Sequence, residues 1–401
     1  MKIAYLTSYL GHEFLERYGK GKKFALSGPF KSLGLARAML SAGHEVTIFS
    51  PGVSTCDAII PAFTEVEEYP EGKLTIHYCR IISKRKVGII NDFRISKMLR
   101  NMSRDFDVLV YYNICLSAAL TIRAFSDKIR VLEYEDNIFN KALEGDRNSF
   151  EFFKRKLYNY LIARTDGVMS VCLGLQLKDR LKYSVLTPGV INDEVINNVS
   201  ERVNHLQPDK PVHIILAGGI HYSKGGDLLV KSMQYIKTPC VVSVYGNCDL
   251  TPAMKSLMDS VPSYHKFEFN GYMPHVDLIK EFDKSADILI NTTRSMHVGA
   301  QAAGFPFKMM EYASTGRPIV SSEIGKLDED YNRHITYYDG EDPKAIAEAI
   351  EEVISNYDQK VALALDLQQK VLKEYTIKGI GIRINNFLTD INHGKSKDKR
   401  E

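Results

Sequence analysis

Short apolar runs alternate with amphipathic stretches along this chain, and the alternation starts twice. Residues 2–8 (KIAYLTS) read as a buried strand, 27–40 as a helix with Leu33, Ala36, Met39 and Leu40 on one face, and 45–50 (EVTIFS) as a second strand. Parallel neighbours need a long crossover, so this is one βαβ unit. Further strands are expected at 74–81, 108–112, 130–134, 166–171 and 183–187. A polar stretch at 191–211 interrupts the pattern, which restarts with strands at 212–217, 241–245, 267–270, 288–291 and 318–320. Helices are expected at 343–356, capped by Asp342, and at 360–375 and 380–391. The fold class is α/β, with two Rossmann-like doubly wound domains. The cleft between such halves is the default place for a ligand.

The 401 residues suit two or three domains. A net charge of +3 gives no reason to expect nucleic acid. Six cysteines lie scattered without CxxC spacing, which argues against a zinc site or a disulfide scaffold and fits a reducing cytoplasm. No signal-peptide pattern opens the chain, and no apolar run nears the ~20 residues of a membrane span. The tail GKSKDKRE reads as disordered. Residues 9–26 read as a long loop carrying Arg17, Lys20, Lys22 and Lys23. Residues 84–104 mix basic residues with Ile89, Ile90, Phe93, Ile95 and Leu99. That mix suits peripheral contact with an anionic membrane surface or a helix docked on the body, and docking is favoured.

The densest chemistry lies at 304–322, GFPFKMMEYASTGRPIVSS. Pro306 suits the first turn of a helix and Gly316 a left-handed cap after it. Lys308 and Glu311 then share one face near the helix N-terminus, where the dipole favours an anion. A lysine for phosphate beside a carboxylate for vicinal hydroxyls is the chemistry of a ribose diphosphate; a surface ion pair is the plain alternative. Glu135 and Asp136 follow the 130–134 strand, at the end where open α/β sheets bind ligands, although Asp136 also suits a helix cap.

The opening KIAYLTS…GHEVTIFSP, the Lys224-Gly225 pair after the first strand of the second half, and the P-x-K-x-x-E-Y-x-x-x-G-x-P-I-V block together resemble a GT-B glycosyltransferase of the family 4 type, the glycosyl transferases group 1. The resemblance spans nearly the whole chain. It implies an acceptor-binding domain at 1–192, a nucleotide-sugar-binding domain at 193–375, and a C-terminal helix at 376–401 that returns to the first domain. It implies a retaining, metal-independent hexosyltransferase that moves sugar from a nucleoside-diphosphate sugar to a glycan or lipid-linked acceptor. No cofactor is implied, and the expected setting is polysaccharide and cell-envelope biosynthesis. By position, Glu311 would hold the ribose, Lys224 the diphosphate, and amides near Phe307 and Lys308 the distal phosphate. The turns at Gly218, Gly219 and Gly246 would line the donor pocket, Gly271 and Tyr272 would lie against the base, and Gly28 would approach the phosphates. Glu135 or Asp136 would orient the acceptor hydroxyl. Ala303 and Gly219 stand where many members carry a glutamate on the transferred sugar and an arginine; His221 or Lys308 would have to compensate. Those losses keep a non-catalytic nucleotide-sugar or glycan-binding partner as the alternative. The missing GxGxxG disfavours an NAD(P) oxidoreductase.

Overall fold

The computed structural model describes residues 1–19, 27–52, 59–82, 88–135, 149–191, 205–246, 250–294, 305–324 and 326–398. The chain divides into two units, Met1–Val190 with Tyr375–Glu401, and Ile191–Glu374.

The first unit is built on β1 (Lys2–Leu6), β2 (Glu45–Ser50), β4 (Phe63–Tyr69), β5 (Gly72–Tyr78), β7 (Val108–Tyr112), β8 (Ile129–Tyr134), β9 (Gly167–Ser170) and β10 (Tyr183–Leu186). Their order is β10-β9-β8-β7-β1-β2-β5-β4, and β3 (Ile59–Ile60) and β6 (Ile81–Ile82) form a separate small pair. Every neighbour in the large sheet is parallel except β4 against β5. Ile3, Ala4 and Tyr5 of β1 are fully buried in succession. Such runs mark a strand covered on both faces, as parallel sheets require.

The sequence reading misses an element in two places here. Residues 9–26 are not all loop, because a helix runs over His12–Tyr18. The amides of His12, Glu13 and Phe14 donate to the Glu67 and Glu65 carboxylates at 2.7, 3.0 and 3.3 Å. The cap comes from β4, more than fifty residues on, so no local pattern announces the helix. Strand β4 also escapes sequence reading, since its acids Glu65 and Glu67 are buried where solvent would be expected. The basic stretch at 84–104 yields the helix Gly88–Asn101. Asn91, Ile95, Ser96 and Leu99 bury one face, as docking requires, while Ile89 and Phe93 stay 56% and 52% exposed. Against the expected disordered tail, the C-terminal helix runs on through Gly394 to Asp398; over Ile377–Asp398 it packs on the helix Ser27–Ser41, burying Ile380, Ile384 and Leu388 completely.

The second unit holds β11 (Val212–Ala217), β12 (Cys240–Tyr245), β13 (Lys266–Gly271), β14 (Ile288–Asn291), β15 (Ile319–Ser322) and β16 (Thr336–Tyr338). The sheet is parallel throughout, ordered β13-β12-β11-β14-β15-β16. Its order reverses between β11 and β14, the crevice where doubly wound sheets take ligands. The core joins Ile214, Leu216, Val242, Ile288 and Val320 to Ile346, Ile350 and Val353 of the helix Pro343–Ser355. Asp342 caps that helix through the Lys344 amide at 2.9 Å. The 304–322 block folds largely as expected. Its helix is Lys308–Thr315, Gly316 ends it at φ 65°, and β15 follows. The helix begins after Pro306, whose carbonyl accepts from the Met309 amide at 2.9 Å.

Candidate functional site

In the second unit, Lys224, Lys308, Glu311 and His275 come together beside the β11 terminus. Lys308 Nζ donates to the carbonyl of Ala217, the last residue of β11, at 3.2 Å. The Ala217 amide in turn donates to the Tyr312 hydroxyl at 2.9 Å, so strand end and helix are tied twice. Burial pushes the Lys308 amine down to about 7, helped by the neighbouring Lys224 charge; Glu311 acts the other way. The residue as a whole is half-buried, but an ammonium tip turned inward loses hydration that one carbonyl does not restore. Glu311, one turn along, points its Oε1 at His275 Nε2, 2.5 Å away at the start of the helix His275–Ser285. The hydrogen bond to Glu311 holds the His275 imidazole above its ordinary pKa, against the effect of burial.

Lys224 sits in a turn whose shape is imposed from outside. Arg294, after β14, donates to both oxygens of Asp227 at 2.6 and 2.9 Å, to Glu341 at 2.8 Å and to the Tyr222 carbonyl at 2.6 Å. Its guanidinium also lies over the Tyr222 ring, 3.8 Å from the centroid. The Thr292 hydroxyl donates to the Lys224 carbonyl at 2.8 Å. Gly225 has φ 69°, and a Cβ there would lie 1.8 Å from the Thr292 carbonyl oxygen. Only glycine fits that approach. Arg294 and Asp227 are absent from the sequence reading, and so is His275. A bidentate pair between the end of β14 and the helix Gly226–Ser232 that follows β11 leaves no spacing signal, because its partners are 67 residues apart.

The glycine turns have a structural task. The amides of Gly218 and Gly219 both donate to the Tyr245 carbonyl, at 2.9 and 3.0 Å, and the Gly246 amide donates to the Gly271 carbonyl at 2.7 Å. A Cβ at Gly246 would lie 2.7 Å from the Gly219 nitrogen. These glycines therefore let three loops nest at the strand ends, and the three amides are already engaged. Tyr272 stands beyond them, 87% exposed. Phe307 is the residue before the first turn of the Lys308–Thr315 helix. Ala303 lies outside the described residues, and so does Asp136.

In the first unit, the Glu135 carboxylate is held by a buried lysine. Its Oε2 lies 3.3 Å from Lys31 Nζ, which is also 3.2 Å from Oε1 of Glu133. Tyr5 donates to the other oxygen of Glu133. Glu133 is fully buried and Lys31 is 5% exposed. Burial raises the Glu133 pKa, while Lys31 opposes that shift. The sequence reading passes over both, though Glu133 is a charge set inside an apolar run, VLEYE. Gly28 lies in the first turn of the Ser27–Ser41 helix with open space around it. A cavity of about 360 Å³ beside His12, Glu65 and Glu67 is lined by acids. Its buried carboxylates already accept from amides and from Tyr9 and Tyr69, so it offers less to a ligand. Among the described residues, no cluster of three or more His, Cys, Asp or Glu is arranged to hold a metal ion, and no helix is long and apolar enough to cross a membrane.

A family model described as glycosyl transferases group 1 matches residues 211–356, inside the second unit. Sucrose-phosphate synthase from Thermosynechococcus elongatus is similar with a TM-score of 0.65 and 13% identity, over 98% of this chain and 100% of that one. HepE of Anabaena in complex with UDP is similar at 0.65 and 11%, over 97% and 100%. Trehalose 6-phosphate synthase from Burkholderia multivorans is similar at 0.65 and 9%, over 100% and 98%. No curated protein matches the chain in sequence. The fold is GT-B over the whole length, and the resemblance carried by the 304–322 block holds in the unit that contains it.

Proposed function

We propose that this chain is a retaining glycosyltransferase that moves a hexose from a nucleoside-diphosphate sugar to a hydroxyl of a glycan or lipid-linked saccharide, without a metal. One observation carries this reading: two lysines and a carboxylate converge at the β11–β14 reversal, where the group 1 family match also falls. Glu311 accepts from the ribose diol, with His275 holding one of its oxygens. Lys224 and Lys308 meet the diphosphate, whose charge grows as the glycosidic bond to phosphate breaks, so cations fixed there lower the barrier. Arg294 acts through the Lys224 turn. In a front-face reaction the departing phosphate oxygen takes the acceptor proton, so no strong base is needed. Glu135, held by Lys31, orients the acceptor hydroxyl. UDP is the first nucleotide to try, since HepE is described with UDP and with UDP-glucose.

The deciding experiment is release of free nucleoside diphosphate from a panel of nucleotide sugars, with and without saccharide acceptors. Acceptor-dependent release that Glu311→Ala abolishes supports the reading. Tight diphosphate binding with no release under any acceptor would favour a non-catalytic partner instead. The exposed Ile89 and Phe93, beside Lys97 and Arg100 on the same helix, fit a lipid-borne acceptor on a cytoplasmic membrane face. Co-sedimentation with anionic vesicles at low salt, lost in an Ile89→Ser/Phe93→Ser double variant, is the expected outcome.

A further inference from the structure

We propose that Asn113 is a positioning residue for sugar transfer: it fixes the main chain that carries Glu135, and so sets where that carboxylate meets the acceptor hydroxyl. This rests on the reading of Glu135 given above. Asn113 directly follows β7 and has φ 51°, in the left-handed region. Asparagine is one of the few side chains that tolerate that region, and residues held there gather at functional sites. The Asn113 amide donates to the Glu133 carbonyl at 2.8 Å, which carries the β7–β8 ladder one step past the pairing of Tyr112 with Glu133. In an unbroken parallel ladder the Glu135 amide would then donate to the Asn113 carbonyl. Here it donates to the Asn113 side-chain oxygen, at 2.8 Å. The side chain stands in for the main-chain carbonyl, so β8 is held as far as Glu135 while β7 turns away.

That extra step decides how Glu135 is presented. Glu133 and Glu135 are two residues apart and so share a face of the sheet. Lys31 lies between them, 3.2 Å from one carboxylate and 3.3 Å from the other. Glu133 is fully buried and occupied by Tyr5 as well. The Glu135 side chain is 25% exposed, and its Oε2 is buried against Lys31. Among the described residues its Oε1 has no partner, so this is the oxygen open to a hydroxyl. One ion pair at the tip orients a carboxylate only if the main chain beneath it is also fixed. Without the Asn113 bond the Glu135 amide leaves the ladder, and the carboxylate swings about its single tether to Lys31. A shift of about 1 Å in a group that aligns a reacting hydroxyl can cost roughly 10²-fold in rate.

Steady-state transfer kinetics test this. UDP-glucose, UDP-galactose, ADP-glucose and GDP-mannose are tried as donors, with maltose, glucose 6-phosphate and octyl glucoside as acceptors. Asn113→Gly keeps the left-handed turn at no steric cost and removes only the side-chain oxygen. It should lower kcat/KM for the acceptor by roughly tenfold while the donor KM stays within about twofold. Its unfolding midpoint should stay within about 4 °C of the native one. Asn113→Asp tolerates the same turn and keeps an oxygen for the Glu135 amide, so it should remain within about threefold of native. Placed on Glu135→Ala, Asn113→Gly should cost less than about twofold more, because the group it positions is gone. Equal losses in Asn113→Gly and Asn113→Asp, a donor KM that rises in step with the acceptor's, or the full loss repeated on Glu135→Ala each overturn the proposal alone. If no pairing of donor and acceptor gives acceptor-dependent release, the transfer reading falls and takes the proposal with it.

Discussion

Lys31 and Lys308 are both lysines at the carboxyl end of a parallel sheet, one in each unit, the first 5% exposed and the second half-buried, and their surroundings are opposite. Lys31 lies between two carboxylates, Glu133 and Glu135, at 3.2 and 3.3 Å. Lys308 has a carbonyl and a second lysine. The first charge is balanced by the fold itself; the second is balanced only if something anionic arrives. A buried charge with its partners present reports on architecture, and one without them reports on a ligand.

The largest expected effect tests the balanced half of this contrast. Lys31→Met leaves the fully buried Glu133 without its cation and should cost about 3–5 kcal/mol in denaturant unfolding. Lys308→Met removes a repelled amine and should leave the free protein as stable or more so. Equal losses in the two variants would break the comparison. Next, Glu311→Ala should lower kcat/KM by roughly 10²-fold or more, since a charge-supported contact to the donor is lost; unchanged turnover removes the ribose assignment.

Lys224→Ala should weaken nucleoside-diphosphate binding by about tenfold while leaving stability alone, because its side chain is exposed and unpaired with acid among the described residues. Unaltered UDP and GDP affinity by calorimetry would count against it. The pH dependence of the free protein sharpens the contrast further. The folded-state pKa of Lys308 lies below its unfolded value, so between about 7 and the ordinary lysine value the unfolded chain binds the extra proton. Stability should therefore rise with pH across that window, and the rise should shrink in Lys308→Met. His275 has the opposite sign. Its pKa is raised, so its contribution is full below the ordinary histidine value and fades as pH climbs through the folded one. With half its side chain in water, His275→Ala should change stability by under about 1 kcal/mol and the donor KM only a few-fold.

The alternation of apolar runs was enough to read most strands of both sheets, because a strand covered on two faces must be apolar at every position. Gly316 and the Asp342 cap were equally legible, since a left-handed residue and an orphan amide each select a side chain locally. Lys224, Lys308 and Glu311 could be named from their spacing around strand ends. What the chain could not announce is who faces whom. The His12–Tyr18 helix is capped by acids from β4, Arg294 reaches Asp227 across 67 positions, and His275 meets Glu311 across 36. Glu133 sits in a strand as a charge, and only the arrival of Lys31 from a distant helix makes that tolerable. Local sequence sets backbone preference and burial pattern. Desolvation and the pairing of charges depend on atoms brought close by folding, so whether a lysine is satisfied or waiting was decided by tertiary structure alone.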